Sequence, residues 1–551
     1  MLLIRLVQTS TAVAATGSRL EKRHLLAATL AGSTDATEAD IVASYLSGRL
    51  RQRRTGVGWR SLLTLPAPAV TPLLTPVEVD AAMAALAGLA GPGSGRARAQ
   101  QVATLLGRAT AVEQDFLRRL IVGELRQGAL DALLLEAIAE AADLPIAVVR
   151  RAAMFSAFSG PVAAAALGGG AQALATFRLE PLRPVRPMLA SPAPDVGAAL
   201  AGFAAAEVAV DAKLDGIRIQ VHRAGDEIAV FTRSLDDITE RVPEIVSLVR
   251  GLPVGAVVLD GEALLLGPDG RPRPFQETGS RTMTHVPAEV GMGETAGTAR
   301  AGAVEPDGSA EVEMVDTEAT AEPRETEAQR PGGTSTRLSL SAFFFDVLHL
   351  DGQDLVDAPA RERFAALARA LPPEAIVPRI VTSEPALVRE YFGSALRDGY
   401  EGVVIKDLTA PYAAGRRGAA WVKVKPRHTL DLVVLAVEWG SGRRTGLLSN
   451  IHLGARDGEK FVMLGKTFKG MTDEMLAWQT ARFLELETGR HGHVVQVRPE
   501  QVVEVAFDGV QRSVRYPGGV TLRFARVLRY REDKSAGEAD TLDAVRALAS
   551  G

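Results

Sequence analysis

The sequence predicts a multidomain chain: an all-α N-terminal domain, an α+β domain built on antiparallel sheets, and a small C-terminal β-barrel. Three observations predict it. Residues 1–178 are Ala/Leu-rich at helical spacing, as in LLLEAIAEAADLPIAVVRRAAMF. A proline-rich stretch, LEPLRPVRPMLASPAPD over 179–195, reads as an extended linker and marks a boundary. Beyond it short alternating runs dominate. Over 196–425 EIAVFTR, AVVLDGEALLL, LSAFFFDVLHL, GVVIK and AAWVKVK mix with helical runs such as ARERFAALARAL; over 426–551 strands prevail, with one helix near MTDEMLAWQTARFLELE. That last pattern fits a barrel of about five strands.

Composition sets the bounds. A chain of 551 residues is too long for one ordinary core, and 47% hydrophobic with 23% charged residues is normal for a globular protein. No apolar run is long enough to span a membrane. There is no cysteine, which excludes disulfides, thiolate catalysis and cysteine-ligated zinc. Arg5 interrupts the apolar N-terminus, so MLLIRLVQTSTAVAATGS reads as a first helix rather than a signal peptide, and the expected location is the cytoplasm.

The net charge of −4 argues against a polyanionic partner until its distribution is considered. Residues 283–336 carry eleven acids against three arginines, without aromatics or periodicity. Such a segment buries too little apolar surface to offset its ordering entropy and reads as a disordered, tolerated insertion. The remainder has 59 bases and 55 acids, net +4.

Chemistry-bearing residues recur at strand ends in the middle domain. VAVDAKLDGIRIQVHR places Lys213 between Asp211 and Asp215, beside an Asp-Gly turn. Arg218, Arg233, Glu262, Phe345, Glu401, Lys406, Arg417, Lys423 and Lys425 follow on separate segments. Singly, each has an ordinary reading: a solvated strand-end charge, a hairpin turn, a core aromatic. Together, carboxylates, cations and an aromatic converging from several strands make a poor core and a good nucleotide pocket.

In this order KLDGIR (213–218), TRS (232–234), LDGE (259–262), FFFD (343–346), EGVVIK (401–406), WVKVK (421–425) and RFARVLRYREDK (523–534) resemble the motifs of ATP-dependent DNA ligases, within the covalent nucleotidyltransferase superfamily. PMLA (187–190) resembles the entry to their adenylation domain, and YLSGRLRQRRTGVGW with GELRQGALDALLLEA resembles their helical DNA-binding domain. The resemblance implies an OB-fold for the barrel, ATP and Mg²⁺ as cofactors, and nicked duplex DNA with 5′-phosphate and 3′-hydroxyl ends as substrate. It also implies a nucleoid-associated enzyme, expected to be a monomer.

The resemblance makes Lys213 the nucleophile that carries AMP. An amine attacks only without its proton, and free lysine has a pKa near ~10.4, so such a nucleophile calls for neighbouring cations and desolvation. Arg218, Lys423, Lys425 and a metal are expected to supply that field. Glu262 and Glu401 occupy positions that hold ribose and Mg²⁺. Phe345 is placed to stack on adenine, and Asp211 stands near its amine where the family usually has glutamate. Arg218, Arg233 and Arg417 are assigned to ribose and phosphate, Lys423 and Lys425 to phosphate charge.

In the barrel, Arg523, Arg526, Asp533 and Lys534 are implied to orient the departing pyrophosphate. Arg443, Arg444, Lys466 and Lys469 in glycine-bearing loops could approach a DNA backbone, as could Arg49, Arg51, Arg53, Arg54 and Arg126 of the helical domain. An NAD-dependent ligase would typically carry a cysteine zinc module and lack the closing barrel motif. An RNA ligase or capping-type enzyme would not need about 180 helical residues ahead of the pocket, and a non-catalytic DNA-binding scaffold would be expected to have lost Lys213 or its carboxylates.

Overall fold

The structure is a computed structural model that describes residues 1–52, 55–125, 131–203, 206–283, 339–415, 417–440 and 444–548. Arg53, Arg54, Arg126, Arg443 and all of the acidic insertion but Met283 lie outside the described residues, and Arg417 is described in its backbone alone.

The N-terminal region is helical from Leu3–Ala15 to Ser159–Leu174. Its helices start where the sequence supplies caps: Thr75 and Thr110 each form a reciprocal box with the glutamate three residues on, Glu78 and Glu113. Leu6, Leu30, Ile41, Leu117, Ile138 and Val162 close one core. Among the described residues no helix is long and apolar enough to cross a membrane.

The proline-rich segment runs extended, as its composition predicts, but it is packed rather than free. Leu179, Val185 and Met188 are buried. Three of its N–H groups find side-chain partners: Leu182 donates to His222 Nδ1 (3.0 Å), Val185 to Gln220 Oε1 (2.8 Å) and Met188 to Tyr412 Oη (2.9 Å). Arg186 reaches back to the helices, donating to the Ser156 carbonyl (2.9 Å) and Ser159 Oγ (3.1 Å). The segment is a strap between the two regions.

The middle domain holds two sheets. In chain order the strands are β1 (Leu189–Ala193), β2 (Val208–Lys213), β3 (Ile217–Ala224), β4 (Glu227–Thr232), β5 (Ala256–Leu265), β6 (Leu340–Leu350), β7 (Gln353–Asp354), β8 (Arg379–Thr382), β9 (Gly402–Asp407) and β10 (Arg417–Val424). One sheet runs β1-β10-β9-β2-β8, the other β4-β3-β5-β6-β7. All pairings are antiparallel except β1 with β10. Helices Pro243–Arg250 and Ala360–Ala370 cover the second sheet, and Pro385–Arg397 packs on the first. Between the sheets lie Val258, Leu348, Tyr412 and Trp421.

The C-terminal domain is an antiparallel barrel-like sheet. Its central strand β11 (His428–Trp439) pairs with β12 (Leu448–Asp457) and with the strands Val494–Val497 and Val502–Phe507. It has more strands than the five expected: seven in the sheet, plus a separate hairpin of Gly509–Arg512 with Val520–Arg523. Bulges at Val434/Ala436 and Glu438/Trp439 bend β11 so that one continuous apolar run serves three partners.

Candidate active site between the two sheets

Strands of both sheets line one cavity. Its walls include Asp211, Lys213, Arg218, Arg233, Glu262, Phe345, Lys406, Trp421 and Lys423. Eight of the residues singled out from sequence therefore converge on one place, with Trp421 added.

Lys213 ends β2, where the chain must turn sharply beside β5. Gly216 makes that possible: a Cβ there would sit 2.4 Å from the Ala263 carbonyl oxygen. Across the sheet, Gly402 at φ +145° lets β9 lie against β10, where a Cβ would meet the Val424 carbonyl at 2.2 Å. Lys213 and Glu401 are tied by their backbones, the Glu401 N–H donating to the Lys213 carbonyl at 2.8 Å. Their side chains are tied too: Glu401 Oε2 pairs with Lys213 and Oε1 with Lys425. The cations expected around Lys213 are thus present, but Glu401 stands between two of them. Burial alone would push the Glu401 carboxyl up; Lys213 and Lys425 outweigh it and hold it below the ordinary range.

Glu262 is the contrasting carboxyl. Burial pushes it up to about 7 against the pull of Lys213 and Arg218, and it accepts a 3.2 Å bond from the Gly216 N–H. The two glutamates fit a hard divalent cation. Glu401 Oε2 is buried with no well-aligned hydrogen bond, and no third His, Cys, Asp or Glu completes a metal cluster among the described residues. Such a site suits Mg²⁺, which binds through one or two carboxylates and leaves its other positions to phosphates and water.

Arg218 is set by a buried network. It forks onto Asp260 (Nε–Oδ1 3.1 Å, Nη2–Oδ2 2.7 Å) and donates to the Met188 carbonyl at 2.6 Å. The Tyr412 hydroxyl donates to the same Asp260 at 2.6 Å. Burial disfavours the charged guanidinium, yet Asp260 keeps it firmly protonated. Its guanidinium carbon lies 5.4 Å from the Phe345 ring centre. Arg233 is exposed at the rim.

At the far end of the cavity Asp211 is buried between Arg379 and Lys406. Arg379 forks onto it (Nε–Oδ1 2.5 Å, Nη2–Oδ2 2.9 Å), and Lys406 Nζ lies 2.6 Å from Oδ2. Burial opposes the carboxylate, but these two cations keep its pKa below the ordinary value. Lys406 also sits 4.6 Å from the Phe345 ring centre and 4.2 Å from that of Trp421.

The barrel reaches this site at two points. Arg523 Nη1 donates to Asp215 at 2.6 Å, and Asp508 Oδ2 lies 3.2 Å from Lys425 Nζ. The remaining motif residues do not line the cavity. Asp533 is forked by Arg531 (2.8 and 2.6 Å), and Lys534 pairs with Asp431 at 2.6 Å, both on the barrel. Arg526 is exposed there on the strand Arg526–Arg531. Lys466 is occupied by Glu438 at 2.7 Å, Arg444 donates to the Phe468 carbonyl, and Lys469 lies over Phe468 and Phe524. In the helical region Arg49 is exposed, whereas Arg51 is engaged by Asp80 (2.9 Å) and Asp40 (3.3 Å).

Sequence reasoning missed Arg379, Asp260, Tyr412 and Asp508, and left Lys406 without a role. A signal existed for two of them: Asp260 and Lys406 are charges inside otherwise apolar strand runs, which burial tolerates only with partners.

Two family models match the chain, the ATP dependent DNA ligase domain over residues 187–425 and the ATP dependent DNA ligase C terminal region over 444–534. A probable DNA ligase of Beutenbergia cavernae is 58% identical over 557 residues, covering 100% of both chains, and one of Kineococcus radiotolerans is 56% identical over 553 residues with the same coverage. A solved structure titled Pmar-Lig_Pre shares the fold at a TM-score of 0.58, with 17% identity, across 96% of this chain and 99% of that one. Matched along its whole length by relatives of this kind, the chain belongs to the ATP-dependent DNA ligases.

Proposed function

We propose that the chain seals nicks in duplex DNA through a lysyl-AMP intermediate on Lys213. The carrying observation is the position of Lys213 at the end of β2, inside the cavity, with Glu262, Glu401, Arg218 and Lys423 around it. In the first step the Lys213 amine, having given up its proton and its pairing with Glu401, attacks the α-phosphorus of ATP and pyrophosphate leaves. AMP then passes to the 5′-phosphate of the nick, and the 3′-hydroxyl attacks that phosphorus and expels AMP. Mg²⁺ held by Glu262 and Glu401 would neutralise phosphate charge.

The chain's own residues do the positioning. Arg218, fixed by Asp260 and Tyr412, and Lys423 neutralise phosphate oxygens, with Arg233 at the rim and Arg417 beside β1 serving ribose and phosphate. Phe345 stacks on the purine. Asp211 accepts from the adenine amine, and Lys406, buried beside it, donates to the adjacent ring nitrogen. Adenine presents that donor and acceptor; guanine presents the reverse. Arg523, which touches Asp215, serves pyrophosphate departure, and Asp533 and Lys534 join it only if the barrel segment that carries them moves.

The helical region and the barrel close on the duplex through phosphate contacts tolerant of sequence, the enzyme acting as a cytoplasmic, nucleoid-associated monomer. Mass mapping of protein incubated with ATP and Mg²⁺ tests the assignment. AMP on the peptide that holds Lys213 supports it, and AMP on another residue refutes it.

A further inference from the structure

Behind Asp211, a wall residue of the cavity, stands an arginine that no motif marks. Arg379 opens β8, the edge strand beside β2, and its side chain is 12% exposed. It makes three engagements at once. Its Nε and Nη2 hold both oxygens of Asp211, its Nη2 also donates to the Phe345 carbonyl at 2.8 Å, and its guanidinium carbon lies 3.5 Å from the Phe364 ring centre. A planar guanidinium stacked on a ring and forked onto a carboxylate has little freedom left.

The consequence follows from counting acceptor sites. A carboxylate offers about four lone-pair directions. Arg379 supplies two donors to Asp211, and Lys406, the second cation, a third. One direction remains for a ligand donor. Asp211 is a short side chain, so its oxygens can meet a base edge only where its neighbours hold them. Arg379 holds the acceptor and, through the Phe345 carbonyl, the backbone of the stacking ring. Edge recognition and face recognition are thereby set by one guanidinium.

We propose that Arg379 is a positioning residue for nucleotide choice, fixing Asp211 and Phe345 so that the pocket takes adenine and rejects guanine. The proposal rests on the reading of this cavity as the site of the ATP base. Lysine cannot replace the fork, since it offers a point charge without planar bidentate geometry. A site built on a hydrogen bond loses discrimination steeply when that bond is displaced.

The test is single-turnover self-adenylation with α-labelled ATP or GTP over a range of concentrations, for wild type, Arg379→Met, Arg379→Lys and Phe364→Leu. Arg379→Met is expected to raise half-saturating ATP roughly 10- to 100-fold and to shrink the ATP-over-GTP preference at least ~10-fold, with maximal rate within about threefold. Arg379→Lys should show the same pattern more weakly. Phe364→Leu keeps both partners of the guanidinium and should shrink the preference least. A folded Arg379→Met with unchanged preference overturns the proposal, as does a fall in maximal rate shared by both nucleotides. Should that variant fail to fold, Arg379→Lys and Phe364→Leu decide by the same ratio. A wild type labelled by GTP as readily as by ATP overturns the base-site reading together with the role of Arg379.

Discussion

Arg523 of the C-terminal barrel donates from Nη1 to Asp215 Oδ2 at 2.6 Å, joining the barrel to the turn that follows Lys213. A second contact, Lys425 to Asp508 at 3.2 Å, runs beside it. Both put barrel residues next to the Lys213 turn and to Lys425, the partner of Glu401.

The proposed function assigns Arg523 to the adenylation step. Arg523→Ala is expected to slow self-adenylation by about 10²-fold while leaving the joining of a nick already carrying AMP within a few-fold of wild type. Rapid-quench measurement of the two steps separates them. Equal losses in both would mean that the contact serves the whole site.

The Tyr412 hydroxyl donates to Asp260 and accepts from the Met188 N–H, both buried. Tyr412→Phe leaves the Met188 N–H without its acceptor and Asp260 with one donor fewer, at a cost of about 1–3 kcal/mol. It also loosens Arg218. Thermal melting should show the destabilisation, and half-saturating ATP should rise in the same variant.

His222 is buried with Nδ1 accepting from Leu182 and Nε2 facing Gln220 Oε1 at 2.8 Å, which suits a neutral ring. Burial, with a smaller push from His349, brings its pKa down from 6.5 to about 3. Between those values the unfolded chain binds more protons than the folded one. The stability this group contributes is therefore whole above about pH 6.5 and falls toward pH 3, by up to about 1.4 kcal/mol per unit. Urea midpoints measured at pH 7.5 and 5 should differ more for wild type than for His222→Gln. An equal difference would assign the acid sensitivity elsewhere.

Lys213, Glu262, Phe345, Glu401 and Lys423 were legible because each sits in a short motif tied to a strand end, and local spacing is what a sequence displays. Arg379 was not, because its meaning arises from the pairing of β8 with β2 across more than 160 residues, Arg379 being 168 positions from Asp211. The prolines of the strap mark an extended linker, but the partners that pack it, Gln220, His222 and Tyr412, lie far along the chain and leave no local signal. Asp533 and Lys534 carry the right motif, yet their nearest partners are Arg531 and Asp431 on the barrel itself. A motif specifies residues, whereas domain placement decides which of them meet the pocket.

The most direct measurement is incubation with Mg²⁺ and α-labelled ATP, followed by denaturing electrophoresis and then by addition of nicked duplex, for wild type and Lys213→Ala. Label on the wild-type chain alone, discharged by the nick as a sealed strand appears, is the result this account predicts. Label of equal intensity on a folded Lys213→Ala chain, or label that nicked DNA does not discharge, would contradict it.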